Sequence, residues 1–237
     1  MIAKDGRGII IGTFLVFFVS LAVWYFFPHP VSQIAMILLG VFSLFNLYFF
    51  RDPNRDIPKN HLAVLAPADG KVVKIQQVEE GKYFKKQVQQ ISIFLSVFNV
   101  HVNRMPISGR IDYLAYRTGK FFAAFKDEAS IQNEQTAIGV INKYGHRVLF
   151  KQIAGLIARR IICNLREGQW KNAGERMGLI RYGSRVDVFL PVDATVLVKR
   201  GQIVKAGETV LATFPNGGDL EIEDKTIVET PQTEITN

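Results

Sequence analysis

The sequence predicts a mostly β protein, α+β overall, carried behind an N-terminal two-helix membrane hairpin. Three observations point there. Residues 9–27 and 31–50 contain no Asp, Glu, Lys or Arg, and each is close to the ~20 residues a helix needs to cross a hydrocarbon core. From Leu62 onward the chain turns to short β-branched and apolar runs separated by glycine turns, as at 71–75, 88–97, 147–153, 187–190 and 195–198. Two of these stretches look alike: 66–75 followed by Glu80-Gly81, and 191–198 followed by Arg200-Gly201 and Ala206-Gly207.

The predicted helices, about 9–27 and 31–50, carry aromatic residues at their ends: Trp24 to Phe27, and Tyr48 to Phe50. Such rings favour the headgroup level. Phe27-Pro28-His29-Pro30-Val31 allows only a tight turn, because proline ends one helix and restricts the residue before it. Both hairpin ends therefore lie on one side. Lys4 and Arg7 precede the first helix and Arg51, Arg55 and Lys59 follow the second, which places both ends, and the domain behind them, in the cytoplasm. A cleaved signal peptide fits poorly, since no small-residue cleavage site follows the first run and a second apolar run does. A re-entrant hairpin stays open.

The net charge of +8 favours an anionic surface, and beside a membrane anchor that surface is lipid. No zinc-finger spacing, RNP-like strand or long basic run supports nucleic acid as a partner. The single cysteine, Cys163, excludes an intrachain disulfide and reads as a small apolar residue. The chain divides into a hairpin at 1–50, a proline-punctuated linker at 51–61 and a β domain at 62–237. Residues 153–164 read equally as a short amphipathic helix or a strand, and the acidic end from Gly217 as a mobile terminus.

The two look-alike stretches resemble the half-motif of biotinyl and lipoyl carrier domains. That resemblance implies a β-sandwich or barrel-hybrid core of interlocked hammerheads. Neither stretch has the exposed Met-Lys or Asp-Lys pair that accepts biotin or lipoate, so a carrier role is not supported.

Gly183-Ser184 is the chemically suggestive pair. Glycine leaves its carbonyl unshielded, and the following hydroxyl can attack it if the turn is strained and a base is near. On its own the dipeptide is ordinary turn punctuation. His101 stands between Val100 and Val102 on an apolar strand, with an imidazole suited to act as a base near neutral pH; an isolated core histidine is the plainer reading. Asp69, in a turn-favouring Asp-Gly pair, has the chemistry to orient an imidazole.

Three stretches read together are more specific: Leu65-Ala66-Pro67-Ala68-Asp69-Gly70-Lys71-Val72, then residues 94–106 with Phe98-Asn99-Val100-His101-Val102-Asn103-Arg104-Met105-Pro106, then residues 176–187 around Gly183-Ser184. In that order and spacing they resemble the phosphatidylserine decarboxylase family in its short bacterial and archaeal form, from about Arg51 to Thr213. The resemblance implies a pyruvoyl enzyme. Ser184 would attack the Gly183 carbonyl, and the resulting ester would eliminate to leave pyruvate at the head of an α chain, 184–237, that stays associated with a β chain, 1–183. The pyruvoyl ketone would form a Schiff base with the amine of phosphatidylserine and accept the electrons left by CO₂, giving phosphatidylethanolamine without pyridoxal or metal. His101 would serve as acid and base, supported by Asp69. Arg104, Arg181 and Arg185 are candidates for the substrate's anionic groups, as are Asn133 and Glu134 for its head group. The longer forms of the family have a second histidine where Arg104 stands and Ser or Thr where Arg185 stands, so here either His101 serves both self-cleavage and decarboxylation or the division of labour differs. Decarboxylation of an archaeal ether-lipid serine head group is the neighbouring alternative, and a non-enzymatic membrane-tethered hammerhead adaptor is the alternative outside enzymes. Homodimerisation is left open.

Overall fold

The two charge-poor runs form 20-residue helices, α1 at Arg7–Phe26 and α2 at Pro30–Phe49. The computed structural model describes residues 1–119, 132–155 and 160–215. Both helices are long and apolar enough to cross a membrane, and only 6% and 11% of their apolar windows are buried, so neither is a core helix of the β domain. Hydroxyls within them bond back to carbonyls one turn earlier, Thr13 to Ile10, Ser20 to Phe17 and Ser43 to Leu39, which removes polar atoms from an apolar setting. His29, to which the sequence assigns no role, caps α2. Its Nδ1 accepts from the Val31 amide while Ser32 Oγ accepts from the His29 amide, with Pro30 at the first helical position. A Cβ on Gly40 would stand 3.0 Å from the Phe17 ring, so the helices pack closely. Their outer ends are tied: Ala3 N–H donates to Phe50 O and Asp52 N–H to Met1 O.

Fourteen strands follow among the described residues: β1 Ala63–Leu65, β2 Gly70–Glu80, β3 Lys86–Leu95, β4 Val102–Arg104, β5 Gly109–Arg117, β6 Gln135–Ile141, β7 Arg147–Ala154, β8 Ile161–Cys163, β9 Trp170–Lys171, β10 Arg176–Ile180, β11 Ser184–Leu190, β12 Thr195–Val196, β13 Ile203–Val204 and β14 Val210–Thr213. Eight form one antiparallel sheet, ordered β13-β2-β3-β11-β7-β6-β5-β9, that curls into a half-barrel; three-stranded sheets β1-β14-β12 and β4-β10-β8 complete the domain. The mostly β expectation with two N-terminal helices is met.

The look-alike stretches interlock. β13 pairs with β2, Ala66 N–H donates to Thr209 O, Gly207 N–H to Ala66 O, and Val72 exchanges bonds with Gln202 and Gly201. Residues 161–163, left between helix and strand by the sequence, form β8 against β10; 156–159 and the acidic end from Gly217 lie outside the described residues.

One position organises the site. β11 lies in the middle of the large sheet, paired with β3 on one side and β7 on the other, and all seven of its residues are buried. Its first residue is Ser184, so the Gly183-Ser184 peptide sits where a turn enters the centre of the fold.

Candidate functional site

β10 ends at Ile180 and β11 begins at Ser184, leaving Arg181, Tyr182 and Gly183 to reverse the chain. Tyr182 (φ 50°) and Gly183 (φ 79°) both take left-handed backbone. Glycine does so freely, whereas a tyrosine there is strained by roughly 1 kcal/mol or more. A Cβ on Gly183 would meet nothing closer than 3.7 Å, so the demand for glycine is conformational rather than steric. Ser184 is fully buried, and its Oγ has no hydrogen-bond partner among the described residues. Buried hydroxyls are normally satisfied, so an orphan at the first residue of the central strand is a group held for something other than stability.

His101 faces this turn. Its Nδ1 lies 2.9 Å from Asn99 O and its Nε2 3.3 Å from the Gly183 amide nitrogen. The carbonyl needs a proton from Nδ1 and the amide needs a lone pair on Nε2, which assigns the tautomer with Nε2 basic. The ring is 1% exposed. Burial pushes its pKa down to about 4, against the Asn99 carbonyl, which favours the proton, and with the help of Arg51. The imidazole is thus neutral, and its Nε2 lone pair takes the Gly183 N–H, one peptide before the Gly183-Ser184 bond.

An aromatic clamp holds both parts. Phe49, from the last turn of α2 and fully buried, stacks on His101 with centroids 4.1 Å apart and an interplanar angle of 29°. The same ring lies 4.7 Å from the Tyr182 ring, whose hydroxyl donates to Asn46 Oδ1 at 2.7 Å. Ile10, Phe50 and Leu179 close the cluster. The sequence reading missed Asn46, Phe49 and Tyr182. Asn46 alone left a signal, as an amide near the end of a charge-free stretch.

The remaining candidates divide. Asn133 and Glu134 are buried one strand away from Ser184: Asn133 Nδ2 donates to Ala154 O at 2.7 Å, and Ala154 pairs with Ser184. Arg181 has a buried Nε with no hydrogen-bond partner among the described residues. Arg104 is engaged structurally, donating to Asp52 Oδ1 at 2.8 Å, Pro53 O and Gly174 O while 7% exposed. Arg185, 3% exposed, pairs with Asp187 on its own strand. Asp69 accepts from Arg55 with both oxygens at 2.9 Å and from the Ala206 amide at 2.8 Å, while Nδ1 of His101 faces a carbonyl rather than a carboxylate. Asp52 was not foreseen. It is 1% exposed, takes Arg104 and Arg176, and makes the 51–61 stretch a clamp on β4 and β10 rather than a passive spacer.

A curled antiparallel sheet thus carries a buried histidine beside the left-handed Tyr182-Gly183 turn, with two membrane-length helices packed against that turn. The family follows from comparison. The phosphatidylserine decarboxylase family model matches residues 42–212. A phosphatidylserine decarboxylase proenzyme of Magnetococcus marinus is 41% identical over 88% of this chain and 93% of its own. That of Prosthecochloris aestuarii is 41% identical over 91% and 99%, and that of a Wolbachia from Brugia malayi 48% over 73% and 76%. The chain belongs to the phosphatidylserine decarboxylase family.

Proposed function

We propose that the chain is a proenzyme that cuts itself between Gly183 and Ser184 and then decarboxylates phosphatidylserine to phosphatidylethanolamine and CO₂. The observation that carries this is the orphaned, buried Ser184 Oγ following a left-handed Gly183 whose amide touches His101 Nε2. His101 takes the Oγ proton as Oγ bonds to the Gly183 carbonyl carbon. The C–N bond breaks as that proton passes to the departing nitrogen, which leaves an ester. Loss of the Ser184 α-proton then expels the Gly183 carboxylate, and water replaces the resulting enamine nitrogen, releasing ammonia.

The residues suit a pyruvoyl group at position 184. The hydroxyl it derives from is fully buried and has no competing partner among the described residues. Such a group supplies a ketone that takes up the substrate amine and acts as electron sink as CO₂ leaves. His101 then holds the proton that returns to the substrate carbon. Arg181 offers a donor to the lipid's anionic groups, and Asn133 and Glu134 lie within a strand of the reacting atom. In this reading Arg104 and Arg185 act by setting the β4, β10 and β11 backbones through Asp52 and Asp187. Asp69 acts as a positioning residue, tying Arg55 to the 205–208 turn, and reaches an imidazole only by releasing Arg55.

The sheet supports lasting association of the two chains. Residues 184–190 pair with β3 and β7, β13 with β2, and β14 with β1, so four separate ladders cross the cut. The domain divides as hairpin 1–50, linker 51–61 and catalytic domain 62–237. The basic residues flanking the helices favour a cytoplasmic face against anionic lipid. Borohydride added with phosphatidylserine should fix the lipid amine to the 184–237 chain; no lipid adduct on that chain in an active preparation would overturn the reading.

A further inference from the structure

We infer that the last turn of α2 is part of the reaction centre, with Asn46 and Phe49 acting as positioning residues that hold the cleavage turn and its base together. The inference rests on the self-cleavage reading and adds that cleavage requires the membrane hairpin to be docked.

A hairpin that served only as an anchor would have no use for Asn46. The side chain is fully buried, and burying an amide costs free energy unless both halves are partnered. Both are: Nδ2 donates to Phe42 O at 2.9 Å, and Oδ1 accepts from Tyr182 OH at 2.7 Å, a partner 136 residues away. Tyr182 is the non-glycine residue in left-handed backbone immediately before the reacting pair. Its strain, roughly 1 kcal/mol, is of the same size as the net worth of one buried hydrogen bond. The Asn46 bond is therefore large enough to decide whether Tyr182 keeps this conformation. If Tyr182 relaxed to ordinary φ, the Gly183 N–H would swing away from His101 Nε2, to which it donates. Phe49 works on the other partner, since one ring contacts both Tyr182 and His101 and sets their separation. The chain start reinforces this docking: Ala3 packs with Val100 and Val102 on either side of His101, and its amide bonds to Phe50 O. Folding of the β domain alone would leave the turn free to relax.

The test uses the full chain in nanodiscs, with the rate of conversion into two chains read after a pulse of synthesis. Asn46→Leu and Tyr182→Phe should each slow conversion about tenfold, and the double variant should be no slower than either, because both remove the same bond. Melting of the same variants in a non-cleaving Ser184→Ala background controls for folding, and Tyr182→Phe keeps the ring. Phe49→Leu adds a readout that packing alone does not move. Unstacking His101, with Arg51 still facing the ring, should raise the pH below which conversion fails. Conversion of Asn46→Leu and Tyr182→Phe at the unmodified rate overturns the inference, as does a double variant slowed by the product of the two. An unmodified chain that never converts overturns the self-cleavage reading instead.

Discussion

The buried imidazole gives the site a pH dependence of definite sign. His101 has a folded-state pKa of about 4, below the ordinary 6.5, because burial disfavours its cation. Between those values the unfolded chain binds a proton that the folded chain refuses. Stability is therefore complete above pH 6.5 and is lost as pH falls toward 4. A gap of about 2.5 units at 1.36 kcal/mol each amounts to about 3 kcal/mol. The perturbation is His101→Gln in a Ser184→Ala background, so that the uncleaved chain is compared throughout. The assay is urea unfolding in micelles at pH 7.5 and pH 4.5. The parent should lose about 2.5 kcal/mol more than the glutamine variant over that interval, the rest of the gap appearing only below it. In the cleaving chain, the conversion rate should stay flat through pH 6.5, because the base is already neutral there. Equal pH dependence with and without His101, or a conversion rate that halves near pH 6.5, would refute a buried neutral base.

Three further outcomes are expected. Gly183→Ala should slow conversion about fivefold, since alanine at φ 79° is strained by roughly 1 kcal/mol; time-resolved electrophoresis reads it. Asp52→Asn leaves the buried Arg104 guanidinium without its counter-charge and should destabilise the Ser184→Ala chain by about 3 kcal/mol, with Asp52→Asn/Arg104→Met less destabilised than the single variant. Arg181→Ala should raise KM for phosphatidylserine about tenfold with little change in conversion, which micellar kinetics with paired electrophoresis separates.

Much of this was legible in the sequence, for physical reasons that differ by element. The hairpin was legible because a 20-residue stretch without charge has few alternatives, and the β domain because β-branched runs and glycine turns recur. The short strand at 161–163 was not, because an apolar run with adjacent arginines fits either period, and only its pairing with β10 decides. On residue chemistry alone Gly183-Ser184 read as turn punctuation and His101 as a core histidine, and only the order and spacing of the three stretches singled them out. What Arg104 does could not be read in this way, because it depends on a partner far along the chain, Asp52. Asp69 illustrates the same limit, since the residue type fits an imidazole partner while the fold supplies it with Arg55 and the Ala206 amide. The aromatic clamp was hidden for another reason. Phe49 at the end of an apolar helix reads as a ring at the headgroup level, and its contact with His101 arises only when the hairpin docks.

Denaturing mass spectrometry of the purified full chain, set beside Ser184→Ala, asks most directly whether position 184 is still serine. Two chains are expected, 1–183 ending in a free carboxylate and 184–237 lighter by one ammonia than a serine-headed peptide, with the alanine variant intact. A single uncut chain in an active preparation, or a 184–237 chain that still begins with serine, would contradict it.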